Sequence, residues 1–148
     1  MPCQRDVGRY LKKIGNSMEQ HANQQLQSLD LTFSQSKLLM VLGDREHYTA
    51  SMKELEGVFH SAQSTVSGLV SRMEKKGLVQ CSSLSGDKRA KQVTLTEAGL
   101  ALRAQGIRDI ETTNEWLVSA LSSEERVLLL DMLDRIYCTV TQTSEPVT

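Results

Sequence analysis

Residues 62–77 read AQSTVSGLVSRMEKKG, which predicts an α-helix with two unlike faces. Four apolar residues recur at spacings of three and four, which places side chains on one side of a helix; they are Val66, Leu69, Val70 and Met73. The opposite face carries short polar side chains from Gln63 to Ser71 and no long acidic ones over that range. We therefore expect one face to pack on a core and the other to accept a bulky, negatively charged partner.

A β-hairpin with a basic turn is predicted directly after this helix. Gly77 follows two lysines, which is typical of a helix end, because cations are favourable at the negative end of the helix dipole. Residues 78–79 and 93–95 resemble short strands, and the turn between them reads LSGDKR over residues 84–89. A helix followed by a basic hairpin is the arrangement of a DNA-reading helix with a wing.

Helix signals dominate the rest of the chain. Three helices are predicted to open with a capping box, in which Ser or Thr is followed three residues later by Glu or Gln, at Thr32, Ser51 and Ser122. The helix that opens at Ser51 meets the helix of residues 62–76 through a short turn, which is the layout of a helix-turn-helix. Apolar periodicity and caps predict the other helices at about 4–29, 32–43, 97–120 and 122–140.

Composition limits the class of protein. The 148 residues favour one domain or an extended helical dimer, and 39% hydrophobic with 24% charged residues is ordinary for a soluble globular protein. No run of about 18 apolar residues and no apolar leader at the N-terminus is present, so we expect a cytoplasmic protein with no membrane span. The three cysteines are far apart and favour free thiols over a disulfide framework or a metal site.

Charge is distributed unevenly along the chain. Residues 61–95 contain six basic and two acidic residues, whereas the remainder contains eleven basic and sixteen acidic residues. A basic segment in an otherwise acidic chain is expected where one surface of the protein contacts phosphates. An ordinary solvated charged face would also account for so small an excess of basic residues.

The order and spacing of these motifs resemble the MarR (multiple antibiotic resistance regulator) family of winged-helix transcription regulators. The resemblance spans residues 31–99 and rests on Leu31-Thr32 with Gln35 and Leu42, Lys53-Glu54-Leu55, the residues 64–67, 69–70 and 73–79, Asp87-Lys88-Arg89 and the residues 93–99. Each motif is weak alone, but together in this order they are specific.

The resemblance implies a mainly α fold with a small β-hairpin wing, that is, a winged helix-turn-helix plus a helical dimerisation region. Its DNA-binding domain would span 31–96, and the dimerisation region 1–30 and 97–140. Residues 141–148 are polar and include Pro146, so they are expected to form a disordered tail. It also implies a homodimer that binds double-stranded DNA at a pseudo-palindromic operator, usually as a repressor released by a small ligand or by oxidation. We expect no enzymatic activity, no cofactor and no metal.

The recognition helix and the wing supply the candidate DNA-binding residues. A helix that enters the major groove needs short donors and acceptors near its N-terminal end, and these are Gln63, Ser64, Thr65, Ser67 and Ser71. Gln63 suits a bidentate adenine contact, and phosphate contacts are expected from Arg72, Lys88 and Lys91. In the wing, Arg89 is expected in the minor groove, with Asp87 orienting it or capping the turn.

Other interpretations of the same residues stay open. The serines and Thr65 could serve only as helix-start residues, and residues 87–89 could form a plain polar turn. Glu56, Ala62 and residues 80–82 depart from the family pattern, and these changes thin the positive surface. Because Ala62 stands where the family usually has the serine that opens the recognition helix, Ser61 is expected to take the cap. A winged-helix protein-interaction module, or an anti-regulator with weakened DNA binding, is therefore the alternative function.

The sequence indicates less about how the protein is regulated. No effector pocket can be named; His21 is a candidate for an acidic effector, but an ordinary surface or interface histidine is the competing interpretation. Cys3 is a candidate redox residue, because Arg5 and the start of the first helix lie nearby and positive charge lowers a thiol pKa.

The wing assignment makes the first prediction. Replacing Arg89 with Ala should weaken DNA binding by roughly 1–3 kcal/mol, because a groove-reading guanidinium would be lost. The melting temperature should change little, since a surface side chain is removed. Unchanged affinity in a binding titration would contradict the wing assignment.

Overall fold

The computed structural model describes residues 6–83 and 91–142, and these residues contain six α-helices and three β-strands. The helices are α1 (Val7–Ser28), α2 (Phe33–Gly43), α3 (Met52–Phe59), α4 (Gln63–Lys75), α5 (Glu97–Leu117) and α6 (Ser123–Gln142). The strands are β1 (Thr49–Ser51), β2 (Val79–Ser83) and β3 (Lys91–Leu95). The predicted class, mainly α with a small winged β-sheet, is confirmed.

The three strands form an antiparallel sheet in the order β1-β3-β2. Val93 at the centre of β3 pairs with Ala50 on one side and with Cys81 on the other. The sequence did not predict β1, because three residues are too few to show an alternating pattern. This strand exists through pairing with residues more than 40 positions later in the chain.

A single apolar core joins α2, α3, α4 and the sheet. The predicted stripe of α4 (Val66, Leu69, Val70 and Met73) is buried. It packs in one cluster with fully buried side chains from the other elements, including Leu38, Leu42, Leu55, Val79 and Val93. The core therefore fixes which face of α4 remains in contact with solvent.

Local capping explains where most helices begin. The capping boxes at Thr32, Ser51 and Ser122 are all formed, each with both reciprocal hydrogen bonds. One expectation was wrong: Ser61 does not cap α4. The N-cap is Ala62, whose methyl side chain cannot accept a hydrogen bond, and the Ser61 hydroxyl donates to the Phe59 carbonyl at 3.0 Å instead.

The end of α4 and the start of α5 are joined in a tight junction. Gly77 has a φ of 74°, and the N–H groups of Gly77 and Leu78 donate to the Glu74 and Met73 carbonyls, which closes α4 with a Schellman motif. The Thr96 hydroxyl donates to the Gly77 carbonyl at 2.6 Å and accepts from the Gly99 N–H at 3.1 Å. Thr96 is thus the predicted N-cap of α5 and also ties α5 to the end of α4.

Lys76, the last basic residue of the helix segment, makes contacts that stabilise the fold. Its ammonium donates to the Asp30 carbonyl and to Gln35 Oε1 (3.1 Å), and lies 3.6 Å from the Asp30 carboxylate. Gln35 is 4% exposed and also accepts from the Thr32 N–H. These contacts bind the C-terminal end of α4 to the α1–α2 connection.

Large apolar side chains remain exposed on the first and last helices. On α1 they are Val7, Tyr10, Leu11 and Ile14; on α6 they are Val127, Leu128, Leu130, Met132, Leu133, Ile136, Tyr137 and Val140. Within the described ranges, neither helix contains a buried residue. No described helix has the length and apolar character that crossing a membrane requires.

The predicted domain boundaries remain predictions. The chain divides into two compact units, residues 1–108 and 109–148, so the division falls within α5. Helix α5 ends at Leu117 rather than near Ala120, and α6 reaches Gln142, two residues into the predicted tail that begins at Thr141. The rest of that predicted tail lies outside the described residues.

The junction between α4 and α5 predicts that one methyl group added at Gly99 strongly affects stability. A Cβ at Gly99 would overlap the Leu78 carbonyl oxygen, so Gly99→Ala should lower the free energy of unfolding by about 1–3 kcal/mol. The matched control is Gly57→Ala in α3, where a Cβ meets no atom within 4 Å. That control should stabilise by up to about 1 kcal/mol, because alanine is the better helix former. Urea unfolding at one fixed protein concentration measures both, and equal effects would contradict the assignment.

Two neighbouring lysines provide a second test. Lys76→Met should cost about 1–3 kcal/mol of unfolding free energy, since it removes charge-assisted hydrogen bonds to Asp30 and Gln35. Lys75→Met removes the same charge from an exposed position and should change stability by less than about 0.5 kcal/mol. Similar losses in the two variants would show that the Lys76 contacts add nothing.

Candidate nucleic-acid interface

The polar face of α4 is exposed as a continuous surface. Its members are the six sequence-predicted residues Gln63, Ser64, Thr65, Ser67, Ser71 and Arg72, all of them exposed. They are held in place from beneath by the buried stripe of the same helix. Because the first three stand at the N-terminal end of α4, short donors and acceptors lie where a helix inserted into a groove would meet base edges.

The remaining predicted residues divide between described and undescribed parts of the chain. Lys91 opens β3, is exposed, and pairs with Ser83 at the end of β2. Asp87, Lys88 and Arg89 lie outside the described residues, as does Cys3. The structure thus brings the α4 residues onto one surface and leaves the tip of the hairpin as a prediction.

Gly68 gives the Arg72 side chain space on the helix. A Cβ at Gly68 would lie 3.3 Å from Arg72 Nη1, tighter than an ordinary van der Waals contact. Because this atom is the far end of a flexible side chain, a small movement of Arg72 could relieve the contact.

Arg72 also borders a pocket that sequence reasoning missed. The pocket, of about 300 Å³, lies where α4 meets the start of α2 and the end of α3. Its polar lining includes the hydroxyls of Ser34, Ser61 and Thr65 beside Arg72. The only signal for Ser34 in the sequence was its place two residues after the Thr32 cap. Among the described residues, the lining combines one cation with hydroxyl groups and contains no carboxylate, which is chemically suited to an anion.

Glu74 is an acidic residue beside this surface, and its carboxylate is engaged by the sheet. Glu74 Oε2 accepts a hydrogen bond from the Cys81 N–H at 2.9 Å. Burial raises the pKa of the Cys81 thiol, and the Glu74 carboxylate raises it further by hydrogen bonding and by charge, whereas Lys91 acts weakly in the opposite direction. A thiol with a raised pKa is poorly suited to redox sensing, because the thiolate is the reactive form.

The other regulatory candidates lie in the helical parts of the chain. His21 is half-buried on α1, and Cys138 is exposed on α6. Among residues 6–83 and 91–142, no group of three or more His, Cys, Asp or Glu side chains is arranged to hold a metal ion. The effector assignment therefore stays a prediction.

Comparisons with known proteins agree with this geometry. The model of the MarR family matches residues 29–90, which include the helix-turn-helix and β2. The HTH-type transcriptional repressor NicR of Pseudomonas putida is 33% identical over 130 residues, which are 88% of this chain and 81% of NicR.

Solved structures of a Staphylococcus aureus regulator share the fold. The structure of MepR, a transcription regulator of the multidrug efflux pump MepA, has a TM-score of 0.81 at 24% identity, covering 91% of this chain and 98% of MepR. The crystal structure of a MepR–DNA complex has a TM-score of 0.77 at 25% identity, covering 90% and 99%. These relatives are transcription regulators and not enzymes. With this fold, this helix surface and these relatives, the chain belongs to the MarR family of winged-helix transcription regulators.

Proposed function

We propose that this protein is a homodimeric, sequence-specific DNA-binding repressor that recognises a pseudo-palindromic operator. The observation that carries the proposal is the exposed polar face of α4, supported from beneath by its own buried stripe. The MepR–DNA complex, a structural neighbour, supports DNA as the partner, and the NicR relative supports the role of repressor.

In this proposal α4 enters the major groove with its N-terminal end towards the bases. Gln63 can bind adenine through two hydrogen bonds, and Ser64 and Ser67 can donate to or accept from base edges. Such contacts specify sequence, whereas contacts to phosphates position the protein. Gln63 is therefore assigned to specificity.

Arg72 is assigned to the phosphate backbone. Its guanidinium lies at the pocket that is also lined by Ser34, Ser61 and Thr65. These three residues come from α2, from the turn between α3 and α4, and from α4. A phosphate in this pocket would receive charge-assisted hydrogen bonds from Arg72. Lys91, with Lys88 and Arg89 of the wing, would extend the contact along the duplex, and Asp87 would orient Arg89.

A second copy of the chain is proposed to cover the exposed apolar residues of α1 and α6. Opposite charges favour such a pairing: α1 carries three basic residues and one acidic residue, whereas residues 109–142 carry seven acidic and two basic residues. Contact between α1 of one copy and the acidic helices of the other would bury apolar surface and pair unlike charges. Two recognition helices would then meet half-sites about one helical turn apart.

Release from DNA is proposed to follow binding of a small ligand. Oxidation receives little support from Cys81, because burial and the Glu74 carboxylate raise the pKa of its thiol, whereas the thiolate is the reactive form. His21 remains a proposed contact for an acidic ligand. The described residues do not identify the ligand pocket.

Selection of bound duplexes from a random DNA pool at near-physiological salt tests the proposal. The expected result is a pseudo-palindrome with half-sites about ten base pairs apart. Affinity for the selected duplex should fall linearly with salt on logarithmic axes, because each neutralised phosphate releases counterions. Sedimentation of the same sample should give the mass of a dimer.

The alternative function predicts a different outcome of the same experiment. A folded, dimeric protein that enriches no sequence would contradict the proposal. It would favour the protein-interaction module, for which Glu56 and the uncharged residues 80–82 are the supporting features.

A further inference from the structure

Glu74 occupies a position where local electrostatics oppose a carboxylate. It lies in the last turn of α4, where the helix dipole favours cations and disfavours anions. It also lies on the helix proposed to face phosphates, where a negative charge weakens binding. Any favourable contribution of Glu74 to the fold must therefore come from a contact outside the helix.

That contact is the edge of the sheet. Because β2 is an edge strand of the sheet that the described residues form, its outer edge has backbone N–H groups that this sheet does not satisfy. The N–H of Cys81, the central residue of β2, donates to the Glu74 carboxylate at 2.9 Å. This is a charge-assisted bond of ordinary length between the recognition helix and the sheet.

Glu74 holds the following chain at two points. Its backbone carbonyl accepts from the Gly77 N–H at 2.9 Å, and its side chain accepts from Cys81, seven residues further on. The first bond fixes the turn, and the second restrains the direction in which β2 continues beyond Leu78. Without the second bond, that direction would depend on the pairing of β2 with β3 and on the burial of Val79.

We propose that Glu74 is a positioning residue that sets the angle between the wing strands and the recognition helix. The proposal rests on the DNA-binding function argued above. Through this bond, helix and wing present one preorganised surface, and the ordering cost is met on folding rather than on binding DNA. The loss of the bond should therefore reduce affinity even though a repulsive charge is removed with it.

Two substitutions at this position give opposite expectations for positioning and for charge. Glu74→Gln keeps an acceptor of the same length without the charge, whereas Glu74→Ala removes both. If Glu74 positions the wing, Glu74→Ala should weaken binding to the selected duplex roughly three- to tenfold, and Glu74→Gln should bind at least as tightly as the native protein. If only charge matters, both variants should bind more tightly.

Glu56→Ala is the matched control. It removes one negative charge from the helix-turn-helix without touching the bond to Cys81 and should leave affinity unchanged or slightly higher. A Glu74→Ala protein that binds as tightly as this control would overturn the proposal.

Hydrogen exchange of the Cys81 amide tests the same inference without DNA. Exchange should be about tenfold faster or more in Glu74→Ala than in the native protein, and near native in Glu74→Gln, since the acceptor is retained. Unchanged exchange in Glu74→Ala would overturn the proposal. If the native protein binds no duplex, the DNA-binding function fails, but the exchange experiment still decides whether Glu74 holds the strand.

Discussion

The close approach of the α5 backbone to the Leu78 carbonyl is the constraint on which the winged helix depends. Only glycine at position 99 leaves space for that carbonyl, and Thr96 completes the contact through the Gly77 carbonyl and the Gly99 N–H. The recognition helix, the first wing strand and α5 diverge from this one point. Backbone contacts therefore fix where each of these elements starts, and the direction of β2 further along is proposed to depend also on the Glu74 side chain.

Some charged residues near the recognition helix bind other parts of the protein, and others are available at the surface. Lys76 is bound to Asp30 and Gln35, and Glu74 is bound to the Cys81 amide. Arg72, on the polar face, and Lys91, at the start of β3, are exposed. A simple count of basic residues along residues 61–95 therefore overstates the charge that DNA could meet, because Lys76 is committed to the α1–α2 connection.

The exposed apolar residues of α1 and α6 explain why the chain is proposed to act as a pair. Side chains such as Leu11, Ile14, Leu130 and Val140 would each gain free energy by leaving water, and clusters of exposed apolar side chains commonly mark protein–protein contacts. A dimer would satisfy them and would fix the spacing of two recognition helices. Under the proposed function, the same association would provide both stability and half-site geometry.

The sequence alone determined most of the local structure. Periodicity placed the buried stripe of α4, capping boxes placed the starts of three helices, and Gly77 placed the end of α4, because each signal acts over a few neighbouring residues. The polar face of α4 was likewise predictable, since it is the complement of the stripe. The family followed from the order of these motifs.

Only the tertiary structure decided which residues meet across the chain. Strand β1, the Lys76 contacts, the pocket beside Arg72 and the bond from Cys81 to Glu74 all join segments whose partners are set by packing. The failed expectation for Ser61 has the same origin, because its hydroxyl found the Phe59 carbonyl instead of the helix end. Local sequence pattern determines which face of a helix or strand a residue occupies, whereas packing of the folded core determines which distant residues it contacts.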